Sequence, residues 1–147
     1  DLQDAKSVVG RYLDRLDAAG PDDVAAVLAD THAPGFRWRG MHPWGELEGA
    51  DAVAAAFWAP LKRAMGPLQR RPDILMAGGN RIDDGASTWV VQMGHLMGTW
   101  DAPLLGLGPS RKLAFLRYCE FFRVADGAIR EMVLRQCLRR ASQIGEV

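Results

Sequence analysis

Residues 111–138, RKLAFLRYCEFFRVADGAIREMVLRQCL, decide the fold. Two apolar-rich runs flank Ala125-Asp126-Gly127, and an Asp-Gly pair between such runs signals a tight hairpin. Gly adopts positive φ without steric cost and Asp tolerates it. The reading is two adjacent antiparallel strands, about 112–124 and 128–137. Period-2 alternation puts Leu116, Tyr118, Glu120 and Phe122 on one face of the first strand. Phe115, Arg117, Cys119, Phe121 and Arg123 fall on the other. Neither face is polar throughout, so both need cover, with helices expected over one and a partner chain over the other.

Working outward, 147 residues suffice for one domain with a real core, and the whole chain 1–147 reads as a single domain. Of the residues, 48% are hydrophobic and 24% charged, and net charge is zero, which argues against general attraction to nucleic acid or an anionic membrane. Residues 1–60 hold ten acidic and five basic side chains, and the remainder carries the opposite excess, a mild dipole typical of solvated surface. The longest nearly uncharged apolar run, Ala52 to Leu61, is too short to span a bilayer and contains Pro60. Two cysteines, Cys119 and Cys137, fall on the two hairpin strands. A disulfide would require a register that places them opposite each other; two reduced thiols in a cytoplasmic protein are the favoured reading.

Leu2, Ala5, Val8, Val9, Tyr12, Leu13 and Leu16 recur at helical spacing until Gly20-Pro21 stops the run. A short second helix follows, with Asp22 or Asp23 as N-cap and Val24, Val27 and Leu28 as its apolar face. THAPGFRWRGMHPWGELEG, residues 31–49, gathers His32, His42, Trp38 and Trp44 among turn residues, with Phe36 to Arg39 as a short strand. A third helix from Ala50 is expected to kink or split at Pro60. Strands are then expected at Asp73 to Ala77 and at Ser87 to Gly98, the latter with Trp89, Val91, Met93, His95 and Met97 on one face, taken as inner. The loop TWDAPLLGLGPS, residues 99–110, carries enough apolar side chains to suggest a lid or a dimer contact. Helices first and a curved antiparallel sheet after them make an α+β domain.

The residues also carry a resemblance. The element order, the His-containing loop, the G-x-x-P-S turn at Gly106 to Ser110 and the ending FFRVADGAIRE (residues 121–131) resemble the SnoaL-like polyketide cyclases. These belong to the nuclear-transport-factor-2-like superfamily. WRGMHPWGELEG, FWAPL and QRRPDI resemble a less characterised, cyclase-like branch. The resemblance implies a cone, a bent sheet wrapped around N-terminal helices with a pocket in its mouth, and a homodimer through the outer sheet face. Members include cyclases, dehydratases, isomerases, epoxide hydrolases and plain binding or scaffold proteins, so fold alone does not fix function.

In the cyclases an aspartate seven positions after the hairpin Gly acts as general acid and base. Here that position is Leu134, which cannot transfer a proton. A histidine that assists seven positions before the same Gly corresponds to Glu120, so the resemblance leaves a carboxyl one strand back. An isomerase-like site would pair a carboxylate with a tyrosine, as Glu120 and Tyr118 do on one face. An epoxide-hydrolase-like site would need an acid-arginine-acid group, which the sequence alone does not assemble.

Glu120 is therefore the expected acid or base and His95 its catalytic partner across adjacent strands. The competing reading for Glu120 is a structural ion pair with an Arg or His, and for His95 a satisfied core residue. Tyr118 and His42 are expected to orient or polarise a carbonyl, with His32, Trp38, Trp58 and Met93 lining the site. No metal is expected, because no His, Cys or carboxylate pair has ligand spacing, and no cofactor is implied. The functional expectation is a small, largely apolar, oxygenated ligand acted on by proton transfer of the cyclase, isomerase or dehydratase type. The alternative is a non-catalytic binding or scaffold domain that lost the cyclase aspartate at Leu134. Neither nucleic acid nor a membrane is an expected partner.

Overall fold

The structure is a computed structural model and describes residues 1–139. The elements run α1 (Leu2–Ala18), α2 (Val24–Thr31), β1 (His32–Arg39), β2 (Glu46–Glu48), α3 (Ala50–Val53), a π-helical turn (Ala54–Trp58), α4 (Ala59–Ala64), β3 (Gln69–Gly79), β4 (Thr88–Thr99), β5 (Leu113–Ala125) and β6 (Ala128–Arg139). The strands form one unclosed six-stranded sheet in the order β2-β1-β6-β5-β4-β3. The expected hairpin is present. Asp126 (φ 53°) and Gly127 (φ 74°) both occupy the left-handed region, as a two-residue turn with the right twist for its strands demands.

Two expectations are corrected. The sheet is mixed, because β1 pairs parallel with β6 while the other pairings are antiparallel. Chain separated by this many residues can return in the same direction, which a tight turn forbids. Strand β1 begins at His32 rather than Phe36, and β3 begins at Gln69 rather than Asp73. Pro60 stands at the start of α4, directly after the π-helical turn that separates α4 from α3, where a kink or split is expected. Its missing N–H leaves the Ala56 carbonyl without a partner four residues on. That carbonyl accepts instead from the Trp44 indole N–H at 2.9 Å, beside the π-helical turn.

α1 buries Ala5, Val8, Val9, Tyr12, Leu13 and Leu16, the predicted face except for Leu2, and crosses the concave side of strands β3 to β6. The third helical segment adds Val53, Phe57, Trp58 and Leu61, so Trp38, Phe57 and Trp58 form an aromatic cluster between sheet and helices. Full burial of each such side chain contributes about 1.5–3 kcal/mol. Burial alternates strictly along β4 and β5, and on β4 the buried residues are Val90, Gln92, Gly94, Leu96 and Gly98. The bulky set Trp89, Val91, Met93, His95 and Met97 thus faces outward, the reverse of the expected face. The cause is backbone proximity: a Cβ at Gly94 would overlap the Arg71 carbonyl oxygen, and one at Gly98 that of Met65.

In the 99–110 loop, Trp100 and Leu104 pack into the core, while Leu105 and Leu107 stay exposed. Cys119 lies opposite Arg135, and Cys137 opposite Arg117, so the register does not place the cysteines face to face; Cys119 is a free thiol.

Candidate functional site

Register across three strands builds the inner site. Gln92 on β4, Glu120 on β5 and Leu134 on β6 form one cross-strand row, with Gly94, Tyr118 and Gln136 in the next. Glu120 is 1% exposed, and Leu134 lies directly opposite it. A carboxylate here requires a partner, and Arg70 from the start of β3 supplies one. Its Nη1 donates to Glu120 Oε2 at 2.9 Å and approaches Gln92 Oε1 at 3.3 Å. Its Nε donates to both oxygens of Asp17, on the last turn of α1, at 3.0 and 3.1 Å. The Arg70 side chain is 4% exposed, and its guanidinium lies 4.9 Å from the Tyr118 ring and 5.8 Å from the Trp58 ring. The Tyr118 hydroxyl donates to Gln92 Oε1 at 2.9 Å.

Electrostatics follow from burial. Desolvation raises the Glu120 carboxyl above the usual range, and Arg70 opposes it through charge and hydrogen bond. Burial also works against the Arg70 charge, but the Glu120 and Asp17 carboxylates outweigh it and hold the guanidinium protonated. Burial pushes the Tyr12 phenol well up, with the Glu120 charge adding to the effect, so Tyr12 keeps its O–H. Tyr118 is raised for the same first reason.

Within this cluster several buried polar atoms have no hydrogen-bond partner: Tyr12 Oη, Trp58 Nε1, Arg70 Nη2 and Glu120 Oε1. They come from α1, the π-helical turn, β3 and β5. Native interiors leave few such atoms, and the Trp58 indole acts on the Tyr12 phenol as a hydrogen-bonding side chain.

Of the sequence-predicted residues, the structure brings Glu120, Tyr118 and Trp58 together. Trp38 is fully buried one aromatic ring away, stacked at 5.1 Å on Phe57. His32 is not at a mouth but in the core, 4.6 Å from the Tyr12 ring and 4.2 Å from Phe36. The Thr31 hydroxyl donates to the Val27 carbonyl, His32 Nδ1 lies 2.9 Å from Thr31 Oγ1 and Nε2 3.0 Å from Met132 Sδ, and a neutral ring donates through only one of these two nitrogens. Burial lowers the His32 imidazole to about 3, so the ring is neutral. His95 and Met93 stand on the outer face, with His95 Nδ1 3.7 Å from Asp73, and neither meets Glu120. His42 sits exposed on the turn between β1 and β2.

Pattern reading missed Arg70, Asp17, Gln92 and Tyr12 as site residues. Alternation along β4 from its two glycines would have put Gln92 inside; no local signal pairs Arg70 with a residue 50 positions away. Among the described residues no group of three or more His, Cys, Asp or Glu could hold a metal. A surface depression of about 360 Å³ beside Asp4, Val8, Arg123 and Asp126 includes neither Glu120 nor Arg70.

A curved α+β sheet whose concave face holds a buried acid, an arginine and tyrosines defines the class: a small domain with its polar chemistry inside the bend. The SnoaL-like domain model matches residues 9–132, and the chain belongs to that family. A protein from Jannaschia sp. CCS1 classed as a SnoaL-like polyketide cyclase is 26% identical, with 88% of this chain and 85% of that one covered at a TM-score of 0.65. AclR from Streptomyces galilaeus, classed as a hydroxylase, superposes at a TM-score of 0.73 over 100% of this chain and 88% of its own, with 16% identity. An NTF2-like protein from Burkholderia thailandensis E264 gives 0.64 over 97% of each chain with 18% identity, which carries the fold alone. No curated protein sequence matches the chain. No helix among the described residues is long and apolar enough to cross a membrane.

Proposed function

We propose that this SnoaL-like domain binds a small, largely apolar, oxygenated molecule in the bend of the sheet and acts on it by proton transfer, with Glu120 as base and then acid. The carrying observation is Glu120 Oε1, a buried carboxylate oxygen left without a partner while its twin is fixed by Arg70. Burial raises this carboxyl above the ordinary carboxylate value, against the pull of Arg70, which is the direction that makes a carboxylate a stronger base. Arg70 replaces His95 as the partner of Glu120, and Tyr118 orients through Gln92. Proton transfer of this kind serves cyclase, isomerase and dehydratase chemistry equally, and the Jannaschia relative is classed with the cyclases.

A second copy is the proposed cover for the outer face. Its rows Met76-Val91-Phe121-Val133 and Ile74-Met93-Cys119 are half-exposed and apolar, with Arg117 and Arg135 beside them. The free Cys119 thiol suits a reducing, cytoplasmic setting.

Leu134 opposite Glu120 favours the second reading, a binding domain without turnover. Exchange of the α-hydrogens of small cyclic ketones in D₂O, followed by NMR, separates the two. Glu120→Gln, folded and still binding the ketone, should lower exchange about 10²- to 10⁴-fold. Exchange equal to wild type would leave the binding reading alone.

A further inference from the structure

β3 lies at an edge of the sheet, and its two halves differ. The first half carries Arg71 and Pro72 and ends in a bulge at Asp73, which is skipped in the pairing with β4. Charge, proline and bulge are devices that keep an edge from pairing with a further strand. The second half, residues 74–79, reads ILMAGG and has none of them. Ile74, Leu75 and Met76 are 44%, 41% and 53% exposed. Ile74 and Met76 share the convex face with Met93 and Val91, whereas Leu75 shares the concave face with Gln92. An edge left unguarded and apolar on both faces is a template for one more strand.

The turn after β3 points to the strand that fits. Ile82 N–H donates to Asn80 Oδ1 at 2.8 Å, and Gly85 N–H donates to the Asn80 carbonyl at 2.7 Å, so the turn is built by its own hydrogen bonds. It holds Arg81 and Ile82 in solvent just past the strand, and Ile82 is 94% exposed, more than any other large apolar side chain. We infer that the open half of β3 pairs antiparallel with the same segment of a second copy, about a two-fold axis that passes Ala77 perpendicular to the sheet. Such an axis keeps the two concave faces on one side. A slip of one residue would set each side chain on the wrong face, so only every second register is open.

Side chains choose among those registers. Centred on Leu75, the pairing draws Pro72 and the bulge into the ladder. Centred on Met76, it sets Arg71 opposite Arg81 of the partner subunit, like charge against like. Centred on Ala77, it sets Asp73 against Arg81 of the partner subunit and Pro72 against the partner's Ile82. Leu75 and Met76 then fall opposite the partner's Gly79 and the partner's Gly78, large against small. Symmetry makes every such contact twice. The two sheets become one, and the convex face stays free for the cover proposed above. With so few residues a side the contact is far smaller than a standard interface, so it forms at concentrations well above those that pair the convex face.

Sedimentation equilibrium of Phe121→Glu, in which the convex face is blocked, isolates the edge. This variant should pass from one chain to two as its concentration rises toward about 1 mM. Asp73→Arg and Arg81→Asp, each added to it, should each raise the dissociation constant about 10-fold, because opposite charges across the strands become like charges. Both positions are exposed, so neither swap touches the core. The two swaps together restore opposite charges in reversed order and should return the constant to within about 3-fold of its parent. If Phe121→Glu does not fold, the same swaps are read on the step from two chains to four in otherwise wild-type protein. A chain that stays single at every concentration overturns the proposal and leaves the edge to a strand of another protein. Pairing indifferent to both single swaps, or a double swap no tighter than the singles, overturns it as well. The cover of the convex face fails separately, if Phe121→Glu keeps the wild-type mass in dilute solution.

Discussion

The concave face of the sheet carries the apolar core and, within it, a buried ion pair, whereas the convex face carries apolar side chains left half-exposed. The concave face, covered by α1 and the third helical segment, encloses Arg70, Glu120, Gln92 and two glycines of β4. The convex face leaves Trp89, Val91, Met93, Met97, Phe115 and Phe121 half-exposed. A protein selected for core stability alone would do the opposite, since a buried ion pair often contributes less than well-packed apolar side chains of the same volume. Charges retained inside, with donors unpaired, point to use; apolar side chains retained outside point to cover by another surface.

Breaking the inner pair gives the largest expected effect. Arg70→Met leaves Glu120 buried without its cation and should cost about 3–5 kcal/mol at neutral pH, read from denaturant unfolding. The loss should shrink on acidification as Glu120 takes a proton, because a carboxyl raised in the folded state stabilises it below that pKa and loses the contribution above it.

His32 acts with the opposite sign. Its folded pKa of about 3 lies below the ordinary value of 6.5, so the stability it contributes is complete above the ordinary value and is lost as pH falls toward the folded one. Between pH 7 and 5 that amounts to about 2 kcal/mol, and His32→Gln should flatten this part of the stability–pH curve. A slope unchanged by the substitution would place the acid sensitivity elsewhere.

The outer face should respond least in stability and most in assembly. Phe121→Glu should alter unfolding of the isolated chain by about 1 kcal/mol or less, yet shift the mass measured by light scattering from two chains to one. A wild-type protein already monomeric at high concentration would remove the case for a second copy.

The same contrast shows what was legible in the sequence. The hairpin was, because Asp126-Gly127 encodes its own geometry and period-2 burial extends from it over Leu116 to Phe122. The helices were, because α1 repeats its apolar residues at helical spacing. The face of β4 was not: its bulky residues alternate with residues that include two glycines, and only the close approach of the Arg71 and Met65 carbonyls requires the glycines inside and so turns His95 and Met93 outward. Glu120 was found because one acid stood in an apolar row. Arg70 was not, since it sits in Gln69-Arg70-Arg71 where one arginine faces in and its neighbour out, and only the bulge after Pro72 and the register of three strands decide which. The cyclase-aspartate comparison gains a geometric content: Glu120 and Leu134 are direct cross-strand neighbours, so a carboxyl on either strand would occupy the same row.

Whether the inner cluster exists for ligand or for fold is settled most directly by the double variant Arg70→Met/Glu120→Leu, unfolded with and without the small cyclic ketone. Removing both charges together should recover most of the stability lost in Arg70→Met. It should also abolish the ligand-induced stabilisation, which for wild type reaches about 2.7 kcal/mol at a hundredfold excess over Kd. A double variant that the ketone stabilises as much as wild type would contradict a functional role for the Arg70–Glu120 pair.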